Sequence, residues 1–154
     1  MNASVSEMAH VLLQTALGPD ELEEVILDDL EPEFGRDLVR LELICLRAFA
    51  LEWTVSWMLE ADEEGKEKLL AVYGQLWEDN PESKSWYGQL EERRSDYDEA
   101  VGTAEQQAEG GGGVFASLCG CPGNEKLVLA GSAMFAALIE GTGSLLATWK
   151  PVGK

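Results

Sequence analysis

The chain has 154 residues, 45% of them apolar and 26% charged, enough to build one core without disulfide or metal staples. Its 29 acidic residues outnumber 11 basic ones, for a formal charge of −18. That balance argues against direct binding to nucleic acid or anionic lipid headgroups, and favours basic partners or divalent cations.

Met1 to Gly18 holds no Lys or Arg and includes Glu7, so the basic start of a signal peptide is missing. No run of about 18 uncharged apolar residues is present, so no membrane span is expected. The three cysteines are an odd number in a chain without an export signal. They are expected as free thiols in a reducing cytoplasm.

The charge is unevenly spread. Residues 1–109 carry 27 acids and 8 bases, whereas residues 110–154 carry 2 acids, 3 bases and ten of the sixteen glycines. The border is Gly110-Gly111-Gly112-Gly113. The sequence therefore suggests one domain: an acidic helical body and a neutral, Gly-rich C-terminal segment packed on it.

Helical spacing dominates the body. Ser4 or Ser6 can cap a first helix with Val5, Met8, Leu12 and Ala16 on one face. Gly18-Pro19 ends it, and Pro19 suits the first turn of a second helix, about Pro19–Leu30. That helix sets Leu22, Val25, Ile26 and Leu30 against Asp20, Glu21, Glu23 and Glu24, anions that the N-terminal end of a helix dipole favours. The most apolar helix follows, about Arg36–Ala61, with Leu38, Leu41, Ile44, Cys45, Ala48, Phe49, Val55, Trp57 and Met58. Apolar groups on nearly every side predict that it is central and buried.

Glu63–Asp79 carries a stripe of Leu69, Val72, Tyr73 and Leu76, closed by Asn80-Pro81. The next helix, about Pro81–Ala108, aligns Trp86, Leu90, Tyr97, Val101, Ala104 and Ala108 along a narrow seam. Beyond the glycines, Asn124 can cap a helix of about Glu125–Ile139, with Gly141-Thr142-Gly143 ending it. Val114–Leu118 and Leu145–Trp149 fit either short helices or strands. The whole predicts an all-α bundle of five to seven helices.

Few constellations carry chemistry. Glu7-Met-Ala-His10 has the Glu-x-x-His spacing of bundle metal sites, but His10 is the only histidine and such sites need two motifs. A symmetric dimer would have to supply the second copy. Cys119-Gly-Cys121-Pro122 offers two soft ligands where structural zinc needs four. The glycine run lacks the pattern of a phosphate loop and suggests a hinge. No nucleophile–base pair or G-x-S-x-G elbow is present. Neither a catalytic set nor a metal or cofactor site is expected.

Two features point toward binding. Arg36, Arg40 and Arg47 fall within about 40° of one another on the central helix. They can hold an anion in a pocket walled by Tyr73, Tyr87 or Tyr97, or pair with carboxylates of the chain itself. Leu127, Val128, Met134, Phe135, Leu138 and Ile139 form the apolar set of a helix with little polar surface, a candidate self-association face. The expected role is a non-catalytic, cytoplasmic interaction or structural protein that binds a protein partner or itself, with a homodimer as the expected self-association. Two alternatives stand beside it. One is an acidic nucleic-acid mimic that occupies the basic groove of a nucleic-acid-binding protein. The other is an anion-binding bundle using the arginine stripe.

Overall fold

The computed structural model describes residues 2–18, 21–103 and 107–151. Seven helices occur among them: α1 (Val5–Leu17), α2 (Glu21–Leu30), α3 (Arg36–Met58), α4 (Glu63–Glu78), α5 (Pro81–Thr103), α6 (Gln107–Leu118) and α7 (Glu125–Ala147). The fold is an all-α bundle, as the periodicity implies. Two-residue strands, β1 (Asn2–Ala3) and β2 (Lys150–Pro151), pair in parallel. The Trp149 indole N–H donates to Ala3 O at 2.9 Å and reinforces that closure.

α3 packs against each of the other six helices. Its buried set includes Val39, Leu43, Ile44, Leu46, Phe49, Leu51 and Val55, so most of its apolar groups meet a neighbouring helix, whereas Leu38 and Trp57, near its two ends, are exposed. Local chemistry fixes the helix ends. Ser4 and Glu7 exchange hydrogen bonds in a capping box at α1, Asp62 accepts from Gly65 N at α4, and Asn124 accepts from Leu127 N at α7. These side chains satisfy backbone N–H groups that the first helical turn leaves without partners. Past Leu118 the end of α6 is closed at Gly120, φ +89°, where Gly120 N–H meets Ser117 O and Cys121 N–H meets Ala116 O. This left-handed cap needs glycine, which is why the Cys-Gly-Cys-Pro run is a tight turn.

Several boundaries differ from the sequence expectation. Pro19, Asp20 and Ala104 lie outside the described residues, so the expected starts and seams that use them stay undescribed. α5 runs to Thr103, and Ala108 belongs to α6. The four glycines expected as a hinge lie inside α6, and α7 continues through Gly141-Thr142-Gly143 to Ala147. Close approach explains the glycine helix. A Cβ on Gly112 would run into Val128 O and Ser132 Oγ, and one on Gly111 would meet Phe135 Cδ2 at 2.6 Å. On the facing helix, a Cβ on Gly131 would sit 2.9 Å from Gly112 Cα and from Phe115 Cβ. The glycines let two backbones touch, and the packing gained outweighs the helix propensity lost.

α7 has the length and apolar composition of a helix able to cross a membrane, and about a third of that stretch is buried within the fold. The sequence criterion missed it because Glu140 and the small polar residues interrupt the apolar run. In the bundle its apolar side covers α6 and α3.

Candidate functional site

α3 carries three charged side chains into the interior, and each finds a partner on another helix. Glu42 takes a forked pair of bonds from Arg93 of α5, at 2.8 Å from Nε and 2.9 Å from Nη2. Arg47 meets Glu23 of α2 at 2.9 Å, with both side chains fully buried. Glu52 pairs with Arg94 of α5. A charge in an apolar helix must bring its partner with it, so these contacts fix α2 and α5 against α3. The forked geometry at Glu42 adds direction to the attraction. The bond to Glu42 raises the Arg93 pKa, against the opposing effect of burial.

Around Glu52 the pairing opens into a groove of about 470 Å³ between α3 and α5. Phe49, Trp53 and Leu70 supply its apolar walls, and Glu91, Arg94 and Asp98 its charged rim. Tyr87 donates to Glu52 Oε1 at 2.6 Å, while Arg94 reaches Glu91 at 2.9 Å and lies 5.8 Å from the centre of the Tyr87 ring. Burial, and then the Glu52 charge, push the Tyr87 phenol far above its ordinary pKa. Burial opposes the Arg94 charge, but Glu52 outweighs it and raises that pKa too. Tyr87 therefore stays protonated and Arg94 charged.

An aromatic chain holds the groove wall. Trp57 stacks on Trp53 at 5.9 Å, and Trp53 leans on Phe135 at 6.4 Å; Phe135 meets Phe49, which stacks on Tyr97 at 5.2 Å. Trp57, expected in the core, is 56% exposed. It sits on the last turn of α3, past the span where other helices enclose it.

A second groove, about 530 Å³, lies between α5 and α6. Asp96, Glu99 and Glu109 ring a floor that includes Gly110 and Gly113. Both grooves thus present carboxylates.

The structure does not bring the arginine stripe together as one site. Arg36 bridges Glu24, Asp28 and Glu31 at 3.1–3.4 Å, at the surface beside α2. Arg40 is exposed. Arg47 is sealed inside, where it also donates to Ala16 O at 2.7 Å and Leu17 O at 3.0 Å. Helical spacing aligned the three, but burial changes along the helix, and α2 takes the first and third. None of Tyr73, Tyr87 and Tyr97 walls a pocket around them: Tyr73 and Tyr97 are core, and Tyr87 belongs to the Glu52 groove.

The α7 set is likewise internal. Leu127, Met134, Phe135 and Leu138 are buried, and Val128 and Ile139 pack half-buried against the core. The exposed side of α7 is Leu129 with small residues such as Ala133, Ala136 and Ala137. The self-association face read from the sequence is thus the face α7 turns to its own chain.

Glu7 is engaged in the α1 capping box, and exposed His10 bonds Ser6 O at 2.8 Å. Their motif thus serves the helix end. Cys45 and Cys119 are buried, Cys121 is half-buried, and all three are free thiols. Sequence reasoning missed Glu42, Glu52, Arg93 and Arg94. Their signal was present: two glutamates inside the most apolar helix, and a tandem arginine in an acidic one. No known protein family, no curated protein and no solved structure matches the chain.

Proposed function

We propose that this protein is a non-catalytic interaction module for a basic protein partner. The observation that carries the reading is where the bases go. Arg36, Arg47, Lys66, Lys68, Arg93, Arg94 and Lys126, seven of the eleven basic residues, are engaged in ion pairs with the chain's own carboxylates. The remaining acids dominate the outer field, which steers positively charged surfaces toward the molecule.

The nucleic-acid mimic is a narrower form of the same reading and needs one continuous anionic face. The exposed acids are carried mainly by α2, α4 and α5. α2 packs on α3 and α7, whereas α4 packs mainly on α1 and α5. That distribution favours a basic protein surface in general over a mimic of one phosphate track. Self-association loses its main support, because the apolar residues assigned to it are occupied and two copies of charge −18 repel.

Affinity capture from native lysate, eluted with rising salt, tests the proposal. Basic proteins released between about 50 and 200 mM salt are the expected result, since shared charge contacts are screened over that range. Recovery of the protein alone, or of partners insensitive to salt, overturns it. Sedimentation of the purified chain reads self-association separately.

A further inference from the structure

We infer that the groove between α3 and α5 receives a lysine or arginine side chain of the partner, held between the Trp53 indole and the Asp98 carboxylate. The inference rests on the reading of a basic partner and names where that partner is anchored.

Four observations converge on this groove. It has room, at about 470 Å³, and walls of Phe49, Trp53 and Leu70 that exclude water from one side of an incoming chain. The Trp53 ring is fixed by Trp57 on one side and Phe135 on another, so an aromatic surface is already in position. Aromatic faces attract cations, and tryptophan does so most strongly. The charges on the rim are three carboxylates, Glu52, Glu91 and Asp98, against Arg94 alone. Arg94 is bound to both Glu52 and Glu91, and among the described residues no ion pair reaches Asp98.

Three carboxylates against one guanidinium leave the rim anionic, and Asp98 stands outside the Arg94 pairing, next to an immobilised indole. An anionic ligand would meet that surplus as repulsion. A neutral apolar ligand would cover Asp98 without compensating its charge. A long cationic side chain satisfies both parts at once: its methylene stem lies along Phe49 and Leu70, and its charged end reaches Asp98. Trp57, exposed beside the rim, extends the aromatic surface toward the rest of the partner.

The test is binding of a synthetic oligoarginine peptide to the full chain at low ionic strength, by calorimetry and tryptophan fluorescence. Asp98→Lys reverses the charge at an exposed position and is expected to weaken binding about tenfold, the effect of one well-placed charge contact. Asp29→Lys makes the same change at an exposed position of α2, which packs on α3 and α7, and is expected to cost less than about twofold. Trp53→Leu keeps apolar bulk against Phe135 but removes the indole. It is expected to weaken binding by about fivefold and to abolish most of the fluorescence change. Equal losses for Asp98→Lys and Asp29→Lys, or an unchanged response in Trp53→Leu, overturn the groove while leaving the basic-partner reading intact. A wild-type chain that binds no basic peptide even at low ionic strength overturns both.

Discussion

Arg47 lies 2.9 Å from Glu23 with neither side chain exposed, and the same guanidinium donates to the carbonyls of Ala16 and Leu17 at the end of α1. One residue of α3 therefore fixes two other helices. It neutralises a carboxylate of α2 and supplies donors to carbonyls that the last turn of α1 leaves without partners. Glu23→Leu leaves a buried cation without its counter-charge and is expected to cost about 3–5 kcal/mol in urea unfolding. The double variant Glu23→Leu/Arg47→Met recovers part of that loss but stays about 1–3 kcal/mol below wild type, because the two carbonyls lose their donors. A double variant as stable as wild type would mean that the α1 carbonyls gain nothing from Arg47.

The α6–α7 contact predicts opposite effects for two neighbouring glycines. Gly112→Ala drives a methyl into Val128 O and Ser132 Oγ, so the helices must separate, at about 1–3 kcal/mol. Gly113→Ala meets nothing within 4 Å. There alanine lowers the entropy of the unfolded chain and raises helix propensity, for a gain of about 0.5–1 kcal/mol. Thermal unfolding of the two variants separates them. Stabilisation by Gly112→Ala would mean that the glycine run is not a packing surface, and destabilisation by Gly113→Ala would mean that this glycine is enclosed as well.

Much of the helical architecture was legible because apolar residues recur at three and four along α1, α3 and α4, and because Ser4 and Asn124 mark the starts of α1 and α7 chemically. The glycine run was not. Composition alone treats Gly110–Gly113 as a break, and only the facing Gly131 and Phe135, some twenty residues on, make a helix there favourable. The groove was hidden for a related reason. Glu52 and Arg94 are 42 positions apart, and only the packing of α5 along α3 makes them one site. Arg36, Arg40 and Arg47 misled in the reverse sense, since a shared angular position says nothing about depth.

Depth also separates two aromatics of α3 that the sequence treats alike. Phe49 is buried among Tyr97 and Phe135, whereas Trp57 is 56% exposed. Phe49→Ala is expected to cost about 3–5 kcal/mol by leaving a cavity. Trp57→Ala removes one stacking contact at the surface and is expected to cost less than about 1 kcal/mol. Chemical denaturation measures both, and a Trp57→Ala loss as large as that of Phe49→Ala would place the indole in an interface or core that the monomer does not display.

The buried thiols predict how stability responds to alkali. Burial, followed by the Glu42 charge, pushes Cys45 and Cys119 up from the ordinary 9.0 to about 12. The phenols of Tyr73 and Tyr97 are raised well above 10.0, burial again being the main cause. Between the unfolded and folded values the native chain holds protons that the unfolded chain has released, so raising the pH favours unfolding. Stability contributed by these groups is intact below about pH 9 and is lost progressively toward pH 12. The fall should begin with the thiols and steepen once the tyrosines of the unfolded chain ionise. Urea unfolding at stepped pH measures it, with the Cys45→Ala/Cys119→Ala double variant as comparison. That variant is less stable at neutral pH because two buried side chains are shortened, yet its decline across pH 9 to 10 is shallower than that of the wild type. Parallel declines in the two proteins would mean that Cys45 and Cys119 ionise as readily in the folded chain as in the unfolded one.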